Sequence, residues 1–347
     1  MNEFDFINKI RGLAQERGAP SGLLRGIGDD AAVLKSVADS DVVVSTDLLV
    51  EDVDFRRDTT PPSLLGHKAL AVSLSDLAAM GARPRWALLS LGVPNDVWDS
   101  GFVDHFYDGF FELAKRYGVH LIGGDISRTT DKIVIDSIAI GECLSEREVF
   151  RSGAKAGDQI FVTGFLGDAA AGLRLIERGA RLSGPTTQKA IPSNRTESGE
   201  RHPIDHLLLR QLQPEPRVGW GLLLGEQRLA TAMIDLSDGL SSDLNHLCDE
   251  SKVGALVDAA SIPIDPLVKE LSGRRALDPL MLALHGGEDF ELLFTVTPEN
   301  VAKLPTRVDG ISLTCIGEIK EGSSGVRISE GSRTWKLEPG GWEHFKG

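Results

Sequence analysis

Residues 66–93, GHKALAVSLSDLAAMGARPRWALLSLGV, set one helix against one strand. Small and long-chain apolar residues from Gly66 to Met80 predict a helix, and Gly81 ends it. The stretch Trp86 to Val93 then predicts a strand. Working outward toward the N-terminus, Val42-Val43-Val44-Ser45-Thr46 reads as another strand. Phe6, Ile10 and Leu13 share one helical face, stopped by Gly18-Ala19-Pro20. In the other direction, Val103, Phe106, Phe110 and Leu113 mark a helix. A short strand is expected over Val119 to Ile122, closed by Gly123-Gly124, and a β-branched strand over Ile133 to Ile140. Interspersed strands and helices of this kind predict a mixed α/β layered architecture.

A polar, glycine-rich seam follows at Arg151-Ser152-Gly153-Ala154-Lys155-Ala156-Gly157-Asp158. With 347 residues the chain is too long for one ordinary core, so two domains are expected, 1–147 and 148–347. The second half is predicted to hold a strand at Gln159 to Thr163, a helix from Asp168 to Glu177 and a helix from Val218 to Leu229. A strand into Asp235, a helix from Asp238 and a strand from Phe290 to Val296 complete it. Residues 181–203, rich in Ser, Thr, Pro and charge, read as a long exposed loop.

Composition removes several function classes. The net charge is −14 and no basic run occurs, which argues against a nucleic-acid partner. Cys143, Cys248 and Cys315 are far apart and form no CxxC, so neither a disulfide framework nor a zinc site is expected. No apolar run reaches 18 residues, and Met1 to Ile10 carries Glu3 and Asp5 rather than a leader pattern. A soluble cytoplasmic protein without membrane contact is the expectation.

Acidic residues recur where apolar segments end: Asp29-Asp30 after Gly26-Ile27-Gly28, Asp47 after Ser45-Thr46, and Asp125 after Gly123-Gly124. The same holds for Asp235-Leu236-Ser237-Asp238-Gly239 and for Gly286-Gly287-Glu288-Asp289. Any one of these is ordinarily a turn former or helix cap. Asp76 differs, because an aspartate among Leu74, Leu77 and Ala78 is costly to bury unless paired or bound to a metal. Carboxylates are hard ligands suited to Mg²⁺ and its attendant phosphates, and the neighbouring glycines allow a backbone to approach a phosphate closely. Together they suggest Mg²⁺ bridging aspartates and a polyphosphate. Other motifs fail. Gly26-x-Gly28-x-x-Ala31 would set two aspartates against a pyrophosphate, no Gly-Lys pair supports a Walker A loop, and no GxSxG occurs. His202 and His206 flank Pro203 at the edge of a polar loop and do not read as a metal pair.

In their order, GIGDDAAVL (26–34), VSTDLLVE (44–51), GHKALAVSLSDLAAMGARP (66–84) and LIGGD (121–125) resemble the thiamine-monophosphate kinase family. So do RSGAKAGDQIFVTG (151–164), IDLSDGLSSDL (234–244), GGEDFELLFTV (286–296) and GWEHF (341–345). That family lies in the superfamily of aminoimidazole-ribonucleotide synthetase and selenophosphate synthetase. The resemblance implies ATP-dependent phosphorylation of thiamine monophosphate, several Mg²⁺ ions, and a homodimer whose N-terminal sheets pair. It implies Asp30, Thr46, Asp47, Asp76, Asp125, Asp235 and Asp238 as metal ligands, with Ser45 contributing through its backbone. Asp47, Asp125 and Asp238 would be the catalytic carboxylates. Tyr107, Gly124, Asp125, Arg151 and Ser237 would meet the nucleotide, and Asp54, Glu288 and Trp342 the thiamine substrate. Such a set suits phosphoryl transfer, which needs in-line positioning and charge neutralisation more than covalent help.

The chain departs from the family pattern at three positions. Asp54 stands where an EGVHF-like stretch has His, Ile126 where Thr follows GGD, and Ser73 where Asn is common. Another ATP-using enzyme of the superfamily and a non-catalytic nucleotide-binding regulator are the alternatives. No Cys precedes Cys143, as a selenophosphate synthetase would need, and the chain ends Phe345-Lys346-Gly347 rather than in the Cys of a carbamoyl dehydratase.

Overall fold

The structure, a computed structural model, describes residues 23–25, 29–35, 39–183, 203–275 and 277–341. The expected helix around Phe6 to Leu13, most of the loop 181–203, and Trp342 lie outside the described residues.

The first sheet has six strands: β1 (Leu23–Arg25), β2 (Ala32–Lys35), β3 (Ser40–Val50), β4 (Arg83–Val93), β5 (His120–Arg128) and β6 (Val134–Leu144), in the order β1-β2-β3-β6-β4-β5. All neighbours are antiparallel except β4 and β5. Alternate residues of β3, β4 and β6 are buried, among them Val43, Ser45, Leu89, Leu91, Ile135, Ser137 and Ala139. This period of two gives the sheet one inward face. Helix α1 (Pro62–Ala79) lies against it, with α2 (Phe102–Tyr117) alongside. Glycine sets the distance between the helices. A Cβ on Gly66 would sit 1.8 Å from the Phe106 carbonyl oxygen, and one on Gly109 would sit 1.7 Å from that of Ser63.

From Leu64 to Ala79 every residue of α1 is buried except Asp76. A helix apolar all round needs cover all round, and the second sheet supplies it. That sheet comprises β7 (Gln159–Thr163), β8 (Ala230–Asp235), β9 (Val253–Asp258), β10 (Leu292–Val296), β11 (Arg307–Val308), β12 (Ile311–Glu321), β13 (Val326–Glu330) and β14 (Arg333–Lys336). Its order is β14-β13-β9-β12-β7-β10-β8, with β11 paired to β12, and only β9 and β13 run parallel. Around it are α3 (Asp168–Glu177), α4 (Asp205–Leu212), α5 (Val218–Glu226), α6 (Leu240–Ser251), α7 (Pro266–Arg275) and α8 (Pro279–His285). One core cluster joins Leu65, Leu74 and Met80 of the first half to Phe161, Trp220, Met233, Leu292 and Phe294 of the second. Phe161 stacks on Phe294 with ring centroids 5.8 Å apart. A separate cluster packs the second sheet against α3, α4 and α6.

Several boundaries differ from the sequence reading. Asp47 and Asp125 do not close their strands: β3 runs on to Val50, and β5 passes through Gly123-Gly124 to Arg128. The ladders explain this. Asp47 is paired with Ser137, and Gly124 and Asp125 with Leu89 and Ser90, so the backbone remains hydrogen-bonded past the glycines. The helix expected to reach Leu229 stops at Glu226, and the strand expected from Phe290 begins at Leu292, after the left-handed Phe290 (φ 49°). Helices α4, α7 and α8 and strands β9 and β11–β14 were not anticipated. The observed architecture is mixed α/β, as expected. Among the described residues no helix is long and apolar enough to cross a membrane.

Candidate active site

The two sheets bring three distant carboxylates together beside α1. One oxygen each of Asp30, Asp76 and Asp235 lies within 4.8 Å of the others. Asp30 leaves the bend before β2, Asp76 is the one half-buried position of the covered helix, and Asp235 ends β8. Ser45 on β3 donates its hydroxyl to Asp76 Oδ2, and Ser75 donates to Asp235 Oδ2 at 2.6 Å. Burial, then the charges of Asp47, Asp235 and Asp30, holds the Asp76 carboxyl well above the usual range. Burial and the neighbouring Asp30 do the same to Asp235. Groups shifted upward by desolvation and like charge are groups that a bound cation would relieve.

Asp47 adjoins this trio. Its Oδ2 is buried and accepts no hydrogen bond among the described residues, and its carboxyl rises to about 6. Burial is the main cause and Asp136 adds to it, while the nearby Ser73 hydroxyl opposes both. Ser73, where the family commonly has Asn, gives its hydroxyl proton to the Ser137 carbonyl at 3.1 Å. Thr46 alternates to the other face of β3 and donates to Asp136 Oδ1 at 2.7 Å, which leaves its backbone as the part nearer the cluster. At the far end of the acidic row, Asp243 Oδ2 accepts the backbone N–H of Asp238 at 3.2 Å and of Gly239 at 3.0 Å. The charges of Asp238 and Asp235 add to burial in raising the Asp243 carboxyl. The sequence reading passed over Asp243 and Ser75. Both sit in the quoted motifs, Asp243 in the first turn of α6 and Ser75 beside Asp76.

Arg151 forks onto Asp30, with Nε 2.8 Å from Oδ2 and Nη2 2.8 Å from Oδ1. Burial alone would lower its pKa, but Asp30, Asp29 and Asp235 outweigh that and hold the guanidinium charged. The guanidinium expected to meet the nucleotide is therefore engaged by a carboxylate here. Ser251 Oγ fixes the Arg151 backbone by donating to its carbonyl at 2.9 Å. The remaining candidates are not brought into this row: they lie on α2 and on β5, and β5 is separated from the Asp47 strand by β6 and β4. Asp125 is exposed on β5, its Oδ1 accepting Ile126 N–H at 2.9 Å. Gly124 precedes it, and a Cβ there would come within 2.0 Å of the Leu89 carbonyl oxygen. Tyr107 is half-buried on α2, stacked on Phe111 at 5.8 Å, and burial raises its hydroxyl pKa.

Glu288 and Asp54 meet through Lys68, a residue the sequence reading missed. Lys68 Nζ is 2.5 Å from Glu288 Oε1 and 3.5 Å from the Asp54 carbonyl oxygen, and its side chain is 3% exposed. Gln211 Nε2 donates to the other Glu288 oxygen. Glu288 takes a left-handed φ of 67° while its N–H donates to the Ser237 carbonyl at 2.7 Å, which ties the two loops together. The Asp54 carboxylate turns back on its own loop, its Oδ2 accepting Val50 N–H at 2.8 Å. Lys68 could have been found by the argument applied to Asp76, since a charge within an otherwise apolar helix needs a partner.

Behind Glu288 the chain is anchored. Asp289 accepts N–H bonds from Gly167 at 2.6 Å and Ala169 at 3.1 Å, and burial lifts it to about 7. Glu291, fully buried on its side-chain atoms, faces Arg210 at 2.7 Å, Arg217, and Thr163 Oγ1 at 2.6 Å. Burial works to raise its pKa, yet the two guanidinium groups hold it below the ordinary value. Asp289 and Glu291 fix the position of Glu288 without facing the acidic row.

A layered α/β pair of sheets with aspartates converging between them defines a class, the AIR synthase-related proteins. The model of their N-terminal domain matches residues 28–143, and that of their C-terminal domain matches residues 155–329. Within that class, the chain is 39% identical to thiamine-monophosphate kinase of Escherichia coli strain K12 over 92% of this chain and 91% of that one. It is 36% identical to thiamine-monophosphate kinase of Bacillus subtilis strain 168 over the full length of both. A solved structure described as AaThiL complexed with AMPPCP and TMP superposes with a TM-score of 0.80 at 32% identity, covering 99% of this chain and 97% of that one. The chain belongs to the thiamine-monophosphate kinase family of AIR synthase-related proteins.

Proposed function

We propose that this chain phosphorylates thiamine monophosphate to thiamine diphosphate, with ATP as donor, by direct in-line transfer. The observation that carries the reading is the convergence of Asp30, Asp76 and Asp235 beside Asp47. Relatives named thiamine-monophosphate kinase, and a structural neighbour holding AMPPCP and TMP, support the same assignment. In this reading Asp30, Ser45, Thr46, Asp47, Asp76, Asp125, Asp235 and Asp238 hold several Mg²⁺ ions. Bound there, Mg²⁺ neutralises phosphate charge and lets two polyanions approach. Tyr107, Gly124, Arg151 and Ser237 position the nucleotide. Glu288, oriented by Lys68 and Gln211, takes the thiamine end with Asp54 and Trp342. The acceptor is already an ionised phosphate, so no strong general base is required.

The division 1–147 and 148–347, pairing of two copies through the N-terminal sheets, and a cytoplasmic setting belong to the same proposal. Phosphorus NMR of the protein with Mg²⁺, ATP and thiamine monophosphate tests it. Equal amounts of ADP and thiamine diphosphate are expected. Intact ATP, or free phosphate alone, would refute the assignment.

A further inference from the structure

We propose a second cation site in this chain, in which Asp168, His206 and Asp265 bind a first-row transition-metal dication such as Zn²⁺. The three lie at the start of α3, on α4, and just before α7, and one ligand atom from each falls within 4.8 Å of the others. None belongs to the row of aspartates around Asp76. His206 Nε2 is 3.8 Å from Asp168 Oδ2 and 3.5 Å from Asp265 Oδ2. Neither distance makes a good hydrogen bond. Both approach the roughly 3.3–3.6 Å between donor atoms that share a tetrahedral ion at about 2.0–2.2 Å.

The second observation is Asp168 itself. It is 1% exposed, and its Oδ1 is buried without accepting a hydrogen bond among the described residues. A buried, unsatisfied carboxylate oxygen is costly unless a cation takes it up. Arg210 is turned elsewhere: its Nη2 binds Glu291 at 2.7 Å, and its Nε stays 4.0 Å from the other Asp168 oxygen, Oδ2. Asp265 is 3% exposed; its Oδ1 accepts Leu267 N–H at 2.7 Å, and its Oδ2 is the oxygen nearer His206 Nε2. The His206 side chain is 39% exposed and provides a path for the ion to enter. One imidazole with two carboxylates favours Zn²⁺, Co²⁺ or Mn²⁺ over Mg²⁺ and Ca²⁺, which prefer all-oxygen shells. The competing arrangement is a protonated His206 shared by the two carboxylates without metal. The flanking Asp168 and Asp265 carboxylates raise the ring to about 9 against the cost of its burial.

The test is Zn²⁺ titration of the full chain with millimolar Mg²⁺ present to fill the acidic row. Wild type is expected to bind one more equivalent of Zn²⁺ than His206→Gln or Asp265→Asn. Asn at position 265 can still accept the Leu267 N–H, so that variant is expected to stay folded. Co²⁺ is expected to shift the imidazole resonance that His206→Gln removes. Equal Zn²⁺ stoichiometry in wild type and both variants overturns the proposal. So does a His206 resonance that ignores Co²⁺ and titrates near 9, which is the behaviour of the metal-free ion pair.

Discussion

Replacing Asp47 by Asn is expected to make the metal-free protein more stable while abolishing its turnover. The carboxyl is raised from 3.8 to about 6 by burial and by Asp136, against the nearby Ser73 hydroxyl. At about 1.4 kcal/mol per pH unit, such a rise corresponds to about 3 kcal/mol of penalty on the ionised form. The residue is half-buried, so screening reduces the expected gain to roughly 1–3 kcal/mol. The sign follows from proton binding. Below pH 3.8 the carboxyl is protonated in both folded and unfolded chains and contributes nothing. Between 3.8 and about 6 the folded chain holds the proton more tightly, so the penalty grows as pH rises, and above 6 it is complete. Asn carries no charge and keeps the shape of the side chain it replaces. Urea unfolding in EDTA at pH 4 and pH 7.5 is the assay. The variant's advantage should be near zero at pH 4 and full at pH 7.5. A variant less stable than wild type at pH 7.5, or one that retains phosphoryl transfer, would refute the reasoning.

Glu291→Ala leaves Arg210 and Arg217 buried without their shared carboxylate and is expected to cost about 3–5 kcal/mol in urea unfolding. Thr163→Val, which removes the hydrogen bond to that carboxylate and the acceptor of the Leu292 N–H, should cost about 1–3 kcal/mol in the same measurement. Gly109→Ala forces a methyl group into the Ser63 carbonyl, and a fall in melting temperature of several degrees is expected, since about 1–3 kcal/mol is typical of overpacking. Lys68→Met frees Glu288 from its cation; steady-state kinetics should show a KM for thiamine monophosphate raised about tenfold or more, equivalent to about 1.4 kcal/mol, with a smaller change for ATP.

Much of the fold was legible because burial leaves a period in the sequence. Val42-Val43-Val44 lies within β3, the strand expected from Ile133 begins one residue later at Val134, and Gln159 to Thr163 and Asp168 to Glu177 have the predicted bounds. The misplaced ends share a cause. Gly123-Gly124 ends a strand when only local propensity acts, but the parallel ladder to β4 carries the backbone through, and the missing Cβ is what lets Leu89 approach. Asp76 could be singled out by its cost among leucines. Its meeting with Asp30 and Asp235 could not, because those residues are brought to it by two separate sheets. Lys68 went unnoticed because its carboxylate partner, Glu288, is distant in sequence. The Asp54 carboxylate likewise is turned onto Val50 by a local loop geometry that no motif encodes.

Helix α1 belongs to the first half by sequence, yet its cover comes from both halves. Either half expressed alone would present a long apolar helix, or the trough that receives it, to water. The chain is therefore expected to melt as one cooperative unit, with coincident calorimetric and van't Hoff enthalpies, and a cut between the halves should yield aggregation rather than two stable fragments. Asp76 rides on that same helix, so any loosening between the sheets would pull apart the acidic row before it exposed much of the core.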